Sequence, residues 1–588
     1  MILADLLCAF LKVGFFAFGG AYGAIPLIRD VVLSYGWLSE ERLSYWIAVS
    51  ESTPGPIMVN LATCVGSQQA GIPGALVATA AVVLPSFVMI LLVMGFFSAA
   101  FRNRRFQAVL SGLKPADVFD YFEKLCAVPH GSGNTKAISD LCAGFARELG
   151  LKYRQDDANN LVIWKEASPG YEGAAPIILQ GHMDMVCTKT EDCTKDMAVE
   201  GLDLMTDGEW VWAKDTTLGG DNGIAVAMIL AILADPTLAH PPIEALLTTD
   251  EETGMDGAVA LDCSDLKGRK LLNLDSEEEG VFTVSCAGGV RLDCLLPGTA
   301  EGAAGLAGYE VLLDGLQGGH SGSDIDKGRG SANQLMGRVL YSAMERMPGI
   351  RLADIRGGRF DNVICSKNCA RVAVPLDRSA DFESFVRDFA RILKNEYAAS
   401  DGGISLTCRK AEVPEAMDVP TTERMLHVLL ALPQGVQAMS MDFPGLVQTS
   451  LNLGVMGMEA DGLRMTVSVR SCIASQKAMM VQRVRSIVEY AGGTVSERND
   501  YPGWQYVKES AFRDMVLEAY RDVSGKDGAL EATHGGLECG LFIEKIPGLD
   551  ALSMGPELHD VHSVRERLSV PSTERVYRLV CEILKRSK

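Results

Sequence analysis

The chain has 588 residues, a formal net charge of −21 at pH 7 and 15 cysteines. That length exceeds one hydrophobic core and calls for several domains. The acidic balance argues against a nucleic-acid partner. An odd, scattered set of cysteines without CxxC pairs fits free thiols in a reducing compartment better than a disulfide framework.

Residues 1–114 differ in kind from everything after them. No charged residue occurs from Ser52 to Phe101, and Ala75 to Ala100 is long enough to cross a bilayer core of about 30 Å. This predicts a membrane segment. The first residues, ILADLLCAFLKVGFFAFGG, are apolar but lack the basic start and small-residue cleavage site of a signal peptide. WIAVSESTPGPIMVNLATCVG carries proline, glycine and polar groups inside an apolar run, a pattern suited to a broken helix lining a cavity. Arg102, Arg104 and Arg105 follow the last hydrophobic run and favour a cytoplasmic exit.

From Ala116 the pattern is globular. ADVFDYFEKLCAVP and SDLCAGFARELG read as amphipathic helices, with the turn HGSGN and the strand NLVIW beside them. Four signals then follow within residues 176–280: PIILQGHMDMV, TLGGDNGIAVAMILAIL, IEALLTTDEETG and KLLNLDSEEEG. Three are apolar runs of strand length ending at polar residues; the second is a glycine turn opening into an apolar helix. In an α/β sheet such strand ends face one crevice, so His182, Asp184, Asp221, Glu251, Glu252 and Asp275 converge.

So many carboxylates together repel unless cations lie between them. One imidazole with several carboxylates suits two Zn2+ ions, with Mn2+ or Co2+ as substitutes, and Asp221, held by Gly219, Gly220 and Gly223, is best placed to bridge them. Glu251 and Glu252, taken as neighbours at a strand end, would point to opposite sides. After Cys286 strands and helices alternate in a different texture to about Tyr501, and the chain closes with YPGW, a helix, HGGLECG and GPELHDVHSVRERLS. His130 and Ser132 read as structural, Cys187 as a packed thiol, and His240 and His427 have no assigned role.

The strings HGSGN, GHMDMV, WAKDTTLGGDNGIAVA, TTDEETGMDGA, NLDSEEEG, GLQGGHSGSDI and HGGLECG resemble those of the di-zinc peptidases and deacylases, most closely the aminoacyl-histidine (Xaa-His, cytosolic non-specific) dipeptidases, from about Ala116 to the end. FGGAYGAIPLI, SESTPGPIMVNLATCVG and LPSF resemble the amino-terminal part of the chromate transporter family, truncated at LSGLKP.

The resemblances imply an α/β di-zinc exopeptidase catalytic domain (115–287 and 502–588) with an inserted α+β lid and dimerisation domain (288–501), after an all-α transmembrane segment (1–114). One zinc would take His182, Asp221 and Asp275, and the other Asp221, Glu252 and His562, with His559 as the alternative to His562. Asp184 would orient His182, Glu251 would be the general base, and His320 would serve the oxyanion, from the same chain or a dimer partner. Arg470, Asn362, Gly535 and Gly536 would hold the dipeptide. The expected activity is metal-dependent dipeptide hydrolysis, at a membrane and facing the cytoplasm, or in the cytoplasm if the first segment is removed or an artefact. The alternatives are a deacylase or aminotripeptidase on the same scaffold, or chromate or other oxyanion transport by the first segment.

Overall fold

A computed structural model describes residues 2–16, 21–53, 56–101 and 109–588. The chain divides into two compact units, residues 1–108 and 109–588. Arg102, Arg104 and Arg105, and parts of the FGGAYGAIPLI and SESTPGPIMVNLATCVG strings, lie outside the described residues.

The first unit is helical: Ile2–Phe16, Ala21–Ser34, Glu40–Ser52 and Ile57–Phe101. The last of these is not a straight rod. Its backbone leaves helical geometry at Ala70 and Gly71, with Gly71 at φ 59°. Beyond the break it doubles back, because the Thr63 and Thr79 hydroxyls lie 2.6 Å apart, where a straight helix would separate them by about 24 Å. Gly66 and Gly74 make the reversal possible: a Cβ on Gly66 would stand 2.2 Å from the Gly74 carbonyl oxygen.

The expected span Ala75–Ala100 therefore belongs to the second arm of a hairpin, which starts at Ile72 and runs roughly 45 Å to Phe101. Among the described residues one helix is long and apolar enough to cross a membrane by length and composition. Some of its apolar side chains face outward, with Ile72 78% and Leu76 67% exposed, while Leu61, Val65, Ala78 and Val82 are buried in the unit's own core.

The second unit contains two large sheets. The first has eight strands in the order Lys152–Gln155, Leu161–Lys165, Ile243–Thr248, Ile177–His182, Lys270–Asn273, Asp550–Ser553, Val281–Cys286 and Ala529–Thr533. Ile177–His182 is parallel to both its neighbours; it and Ile243–Thr248, which runs antiparallel to Leu161–Lys165, are fully buried. Burial on both faces is why these strands read as unbroken apolar runs. The apolar helix Gly220–Ala234 packs on Ile177–His182 and on the helix Ala116–Cys126.

The second sheet is built from residues 288–501 and is antiparallel throughout. Burial alternates along Gly288–Pro297 and Leu306–Asp314, the sign of a sheet with one packed face. Helices Ala332–Arg346, Ser379–Glu396, Val419–Ala431 and Ala474–Tyr490 contribute side chains to its own core. Because Ala529–Thr533 and Asp550–Ser553 return to the first sheet, the second is an insertion in it. A small third sheet pairs Arg567–Ser569 with both Leu558–His559 and Trp210–Ala213, which brings the end of the chain beside the loop before Asp221.

Candidate metal centre

The register of the parallel strands sets the site. His182 lies level with Thr248, and Gln180 with Asn273, so the residues that follow emerge along one carboxyl edge. Asn222 ties that edge together: its Oδ1 accepts from the His182 N–H at 3.2 Å and its Nδ2 donates to the Leu274 carbonyl at 2.8 Å. Asp221 stands just before the regular part of the Gly220–Ala234 helix.

What fixes the Asp221 loop is a carboxylate 345 residues away in sequence. Glu566, 2% exposed, accepts from the backbone N–H groups of Leu218 (2.7 Å), Gly219 (3.1 Å), Gly220 (2.8 Å) and Asp221 (3.3 Å). Burial, followed in size by these bonds acting in the opposite sense, leaves its carboxyl pushed up to about 7.

Asp221 faces two ways. Its Oδ1 is 3.1 Å from His182 Nε2, which also lies 3.4 Å from Asp275 Oδ1. Its Oδ2 is 3.2 Å from His562 Nε2, which lies 2.9 Å from Glu252 Oε1. His182, Asp221 and Asp275 thus form one donor group and Asp221, Glu252 and His562 another, the atoms of each within 4.8 Å of one another. Glu251 forms a third such group with His182 and Glu252.

The electrostatics of this edge match a seat for cations. Burial comes first in raising the Asp275 carboxyl to about 6 and Glu277 to about 7, with neighbouring carboxylates adding to it. Burial also drives Glu251 well above the usual carboxylate range, with Asp275, Glu538 and Glu252 pushing the same way against the His182 charge. Among the described residues, Asp221, Glu252 and Asp275 make ion pairs with histidine only. Two adjoining sets of nitrogen and oxygen donors sharing one carboxylate fit two divalent metal ions.

One expectation needs correction here. Glu251 and Glu252 do not end a strand: Ile243–Thr248 stops earlier, Asp250 takes a left-handed conformation (φ 54°), and Glu251–Gly254 is a helical turn. The two carboxylates diverge because successive helical residues are rotated about 100°, not because a strand alternates. Asp184 lies beside His182, its carboxylate 3.5 Å from Nδ1, but the closer partner of that nitrogen is the Asp184 backbone carbonyl at 3.0 Å. Besides facing His182, the carboxylate accepts from the Ser132 hydroxyl (2.8 Å) and the N–H groups of Glu251 (3.1 Å) and Glu252 (3.4 Å), and so holds the Glu251 turn in place.

The structure places His562, not His559, in the donor groups. His559 packs its ring 5.1 Å from Trp210 and pairs with Glu557 at 3.1 Å. His320, Arg470 and Asn362 form no hydrogen bond or ion pair with the acidic cluster among the described residues. His320 Nδ1 accepts from the N–H groups of Gly322 (3.2 Å) and Ser323 (3.3 Å), which assigns the ring proton to Nε2. Burial and then the Arg470 charge lower its pKa. Arg470 reaches Tyr501 at 3.5 Å while its Nε is buried without a partner. The Asn362 carbonyl accepts from Ser321 N–H at 2.8 Å. The Gly535 N–H donates to Thr533 Oγ1 at 3.0 Å and is engaged within its loop, while Gly536 packs on the Tyr501 ring.

Three residues escaped the sequence reading. Besides Glu566, Glu538 is fully buried beneath the strand ends, accepting from Gln180 and Thr248, and burial raises it to about 8. His534 bonds Ser450 Oγ at 2.7 Å, and burial followed by the Arg470 charge lowers it to about 3. The strings HGGLECG and HSVRE held all three, but only as isolated polar residues.

Comparison with known proteins agrees with this architecture. Residues 311–401 match the peptidase dimerisation domain family, and residues 4–119 match the chromate transporter family. The cytosol non-specific dipeptidase of Escherichia coli K12 is 37% identical over 478 residues, covering 81% of this chain and 98% of that protein. The structure of aminoacylhistidine dipeptidase from Vibrio alginolyticus superposes with a TM-score of 0.76 at 35% identity, covering 82% of this chain and 99% of the other. The chromate transport protein of Pseudomonas aeruginosa is 36% identical over 103 residues, so the chain spans only about a quarter (24%) of that relative. The chain belongs to the cytosol non-specific dipeptidases of the M20 metallopeptidase family, with a chromate-transporter-like helical segment ahead of the peptidase.

Proposed function

We propose that the protein hydrolyses dipeptides, Xaa-His among a broad range, at a two-zinc centre held by His182, Asp221 and Asp275 on one side and Asp221, Glu252 and His562 on the other. The observation that carries this reading is the Asp221 carboxylate, whose two oxygens face two different histidine-containing donor groups. Divalent ions bound there supply Lewis acidity, which lets water ionise near neutral pH.

Glu251 is the general base. It sits in the same cluster as His182 and Glu252, where a carboxylate can take a proton from water. It takes the proton from the attacking water and passes it to the leaving amine nitrogen. Asp184 positions it by accepting its backbone N–H.

His320, neutral with a proton on Nε2, donates to the carbonyl oxygen as negative charge develops there. Arg470 and Asn362 hold the substrate carboxylate, with Gly535 and Gly536 shaping the facing loop. His320 arrives by closure of the inserted domain or from a second copy of the chain. The outward apolar side chains of the Ile57–Phe101 hairpin support a second reading, in which the first unit seats the enzyme in a membrane with the peptidase in the cytoplasm.

The test is hydrolysis of β-alanyl-histidine and glycyl-histidine in washed membranes and in cytosol, each with a chelator and with zinc restored. Chelator-sensitive hydrolysis in the membrane fraction is expected. Its confinement to the cytosol would remove the membrane seat, and its absence from both fractions would overturn the dipeptidase reading.

A further inference from the structure

A cavity of about 450 Å3 opens beside the metal centre. Its walls come from the segment after His182 (Met185, Val186, Cys187), from Met197 and Ala198 in the following loop, and from Ser132 of the HGSGN turn. Glu252, whose Oε1 is directed to His562 at 2.9 Å, stands at its edge. Glu252 is thus shared between the cavity and the donor cluster.

Local bonding builds these walls. Gly131 bridges to Met185, the Met185 N–H donates to the His130 carbonyl at 3.1 Å, and the Ser132 N–H donates to the Met185 carbonyl at 3.3 Å. Asn134 Nδ2 holds the Ala198 carbonyl at 2.9 Å, tying the second wall to the same turn. Gly131 is required here: a Cβ would lie 2.5 Å from Cys187 Sγ, so the glycine lets the thiol stand as part of the wall. Cys187 is exposed, not the packed thiol expected, and partial desolvation raises its pKa. Methionines adapt their shape to varied apolar guests. Apart from Glu252, which is already paired, no charged group lines the cavity.

We propose that this cavity receives the side chain of the substrate's amino-terminal residue and selects apolar ones. The inference rests on the dipeptidase reading. With the carboxylate end at Arg470 and Asn362 of the inserted domain, the amino-terminal residue is left against the wall formed by the first sheet's loops. Its side chain enters between Met185 and Met197, where burial of methylene groups favours binding.

Two substitutions test it through ratios of kcat/KM. Ala198→Phe fills the cavity from its exposed rim, and Met197→Ala widens it. The first should lower the preference for Leu-Gly over Ala-Gly by on the order of tenfold. The second should raise the preference for Trp-Gly over Leu-Gly severalfold. Opposite signs from two variants exclude a general folding defect as the cause. Wild-type ratios in both variants, or a shift confined to Gly-Leu, would overturn the cavity assignment alone. A wild-type enzyme that cleaves none of these dipeptides would overturn the dipeptidase reading, and the cavity assignment with it.

Discussion

The two large sheets of the second unit solve different problems. The first buries both faces of its central parallel strands, so its strand ends are fixed in depth and register, and His182 and Asp275 of the donor cluster lie at or just beyond them. The second buries one face and carries its own helical core, and its polar residues His320 and Arg470 make no bond to the donor cluster. The donor cluster belongs to one sheet, and the residues proposed to meet the substrate from the other side belong to the second.

The sharpest test of that division is Glu251→Gln. Removing the base while keeping its shape should lower kcat by about 10³-fold or more, with two metal ions still bound by elemental analysis. Full activity would show that the first sheet does not carry the base. Next in size is Glu566→Gln, which weakens the acceptor of four backbone N–H groups. Each donor left unsatisfied costs about 1–3 kcal/mol, so metal content and thermal midpoint should both fall. His562→Ala should lower metal content with a smaller loss of stability, whereas His559→Ala should leave metal content unchanged.

His320→Ala tests the second sheet. It should lower kcat by about 10²-fold without altering metal content. Mixing it with Glu251→Gln separates the two routes for His320: activity recovered in the mixture means that a second copy supplies it.

The smallest effect concerns pH. His534 is lowered to about 3 in the fold by burial and then by Arg470, with His320 acting the same way, against about 6.5 unfolded. The unfolded chain binds the extra proton, so this residue's contribution to stability is lost as pH falls from about 6.5 toward 3. His534→Gln should flatten acid denaturation in that window.

Much of this site was legible because strands buried on both faces read as apolar runs, and the residues after them are therefore level in space. His182, Asp184 and Asp275 follow directly from that. The Glu251 turn did not, since nothing local announces that Asp250 adopts a left-handed conformation before a short helix. Glu566 and Glu538 were hidden for another reason. They act on backbone N–H groups and buried side chains far along the chain, and a lone carboxylate in sequence looks like any surface residue. The hairpin at Gly71 was masked by uniform hydrophobicity, which sets that a segment avoids water but not that it turns back on itself.

The Glu566 cradle and His562 lie on the hairpin loop that closes the small third sheet, within the last 30 residues or so of the chain. During synthesis the segments that carry His182, Asp221, Glu252 and Asp275 are complete long before that loop leaves the ribosome. The growing chain therefore lacks one of its two histidine-containing donor groups until that loop docks. A stop between Ser553 and Asp560 would keep all eight strands of the first sheet but neither Glu566 nor His562.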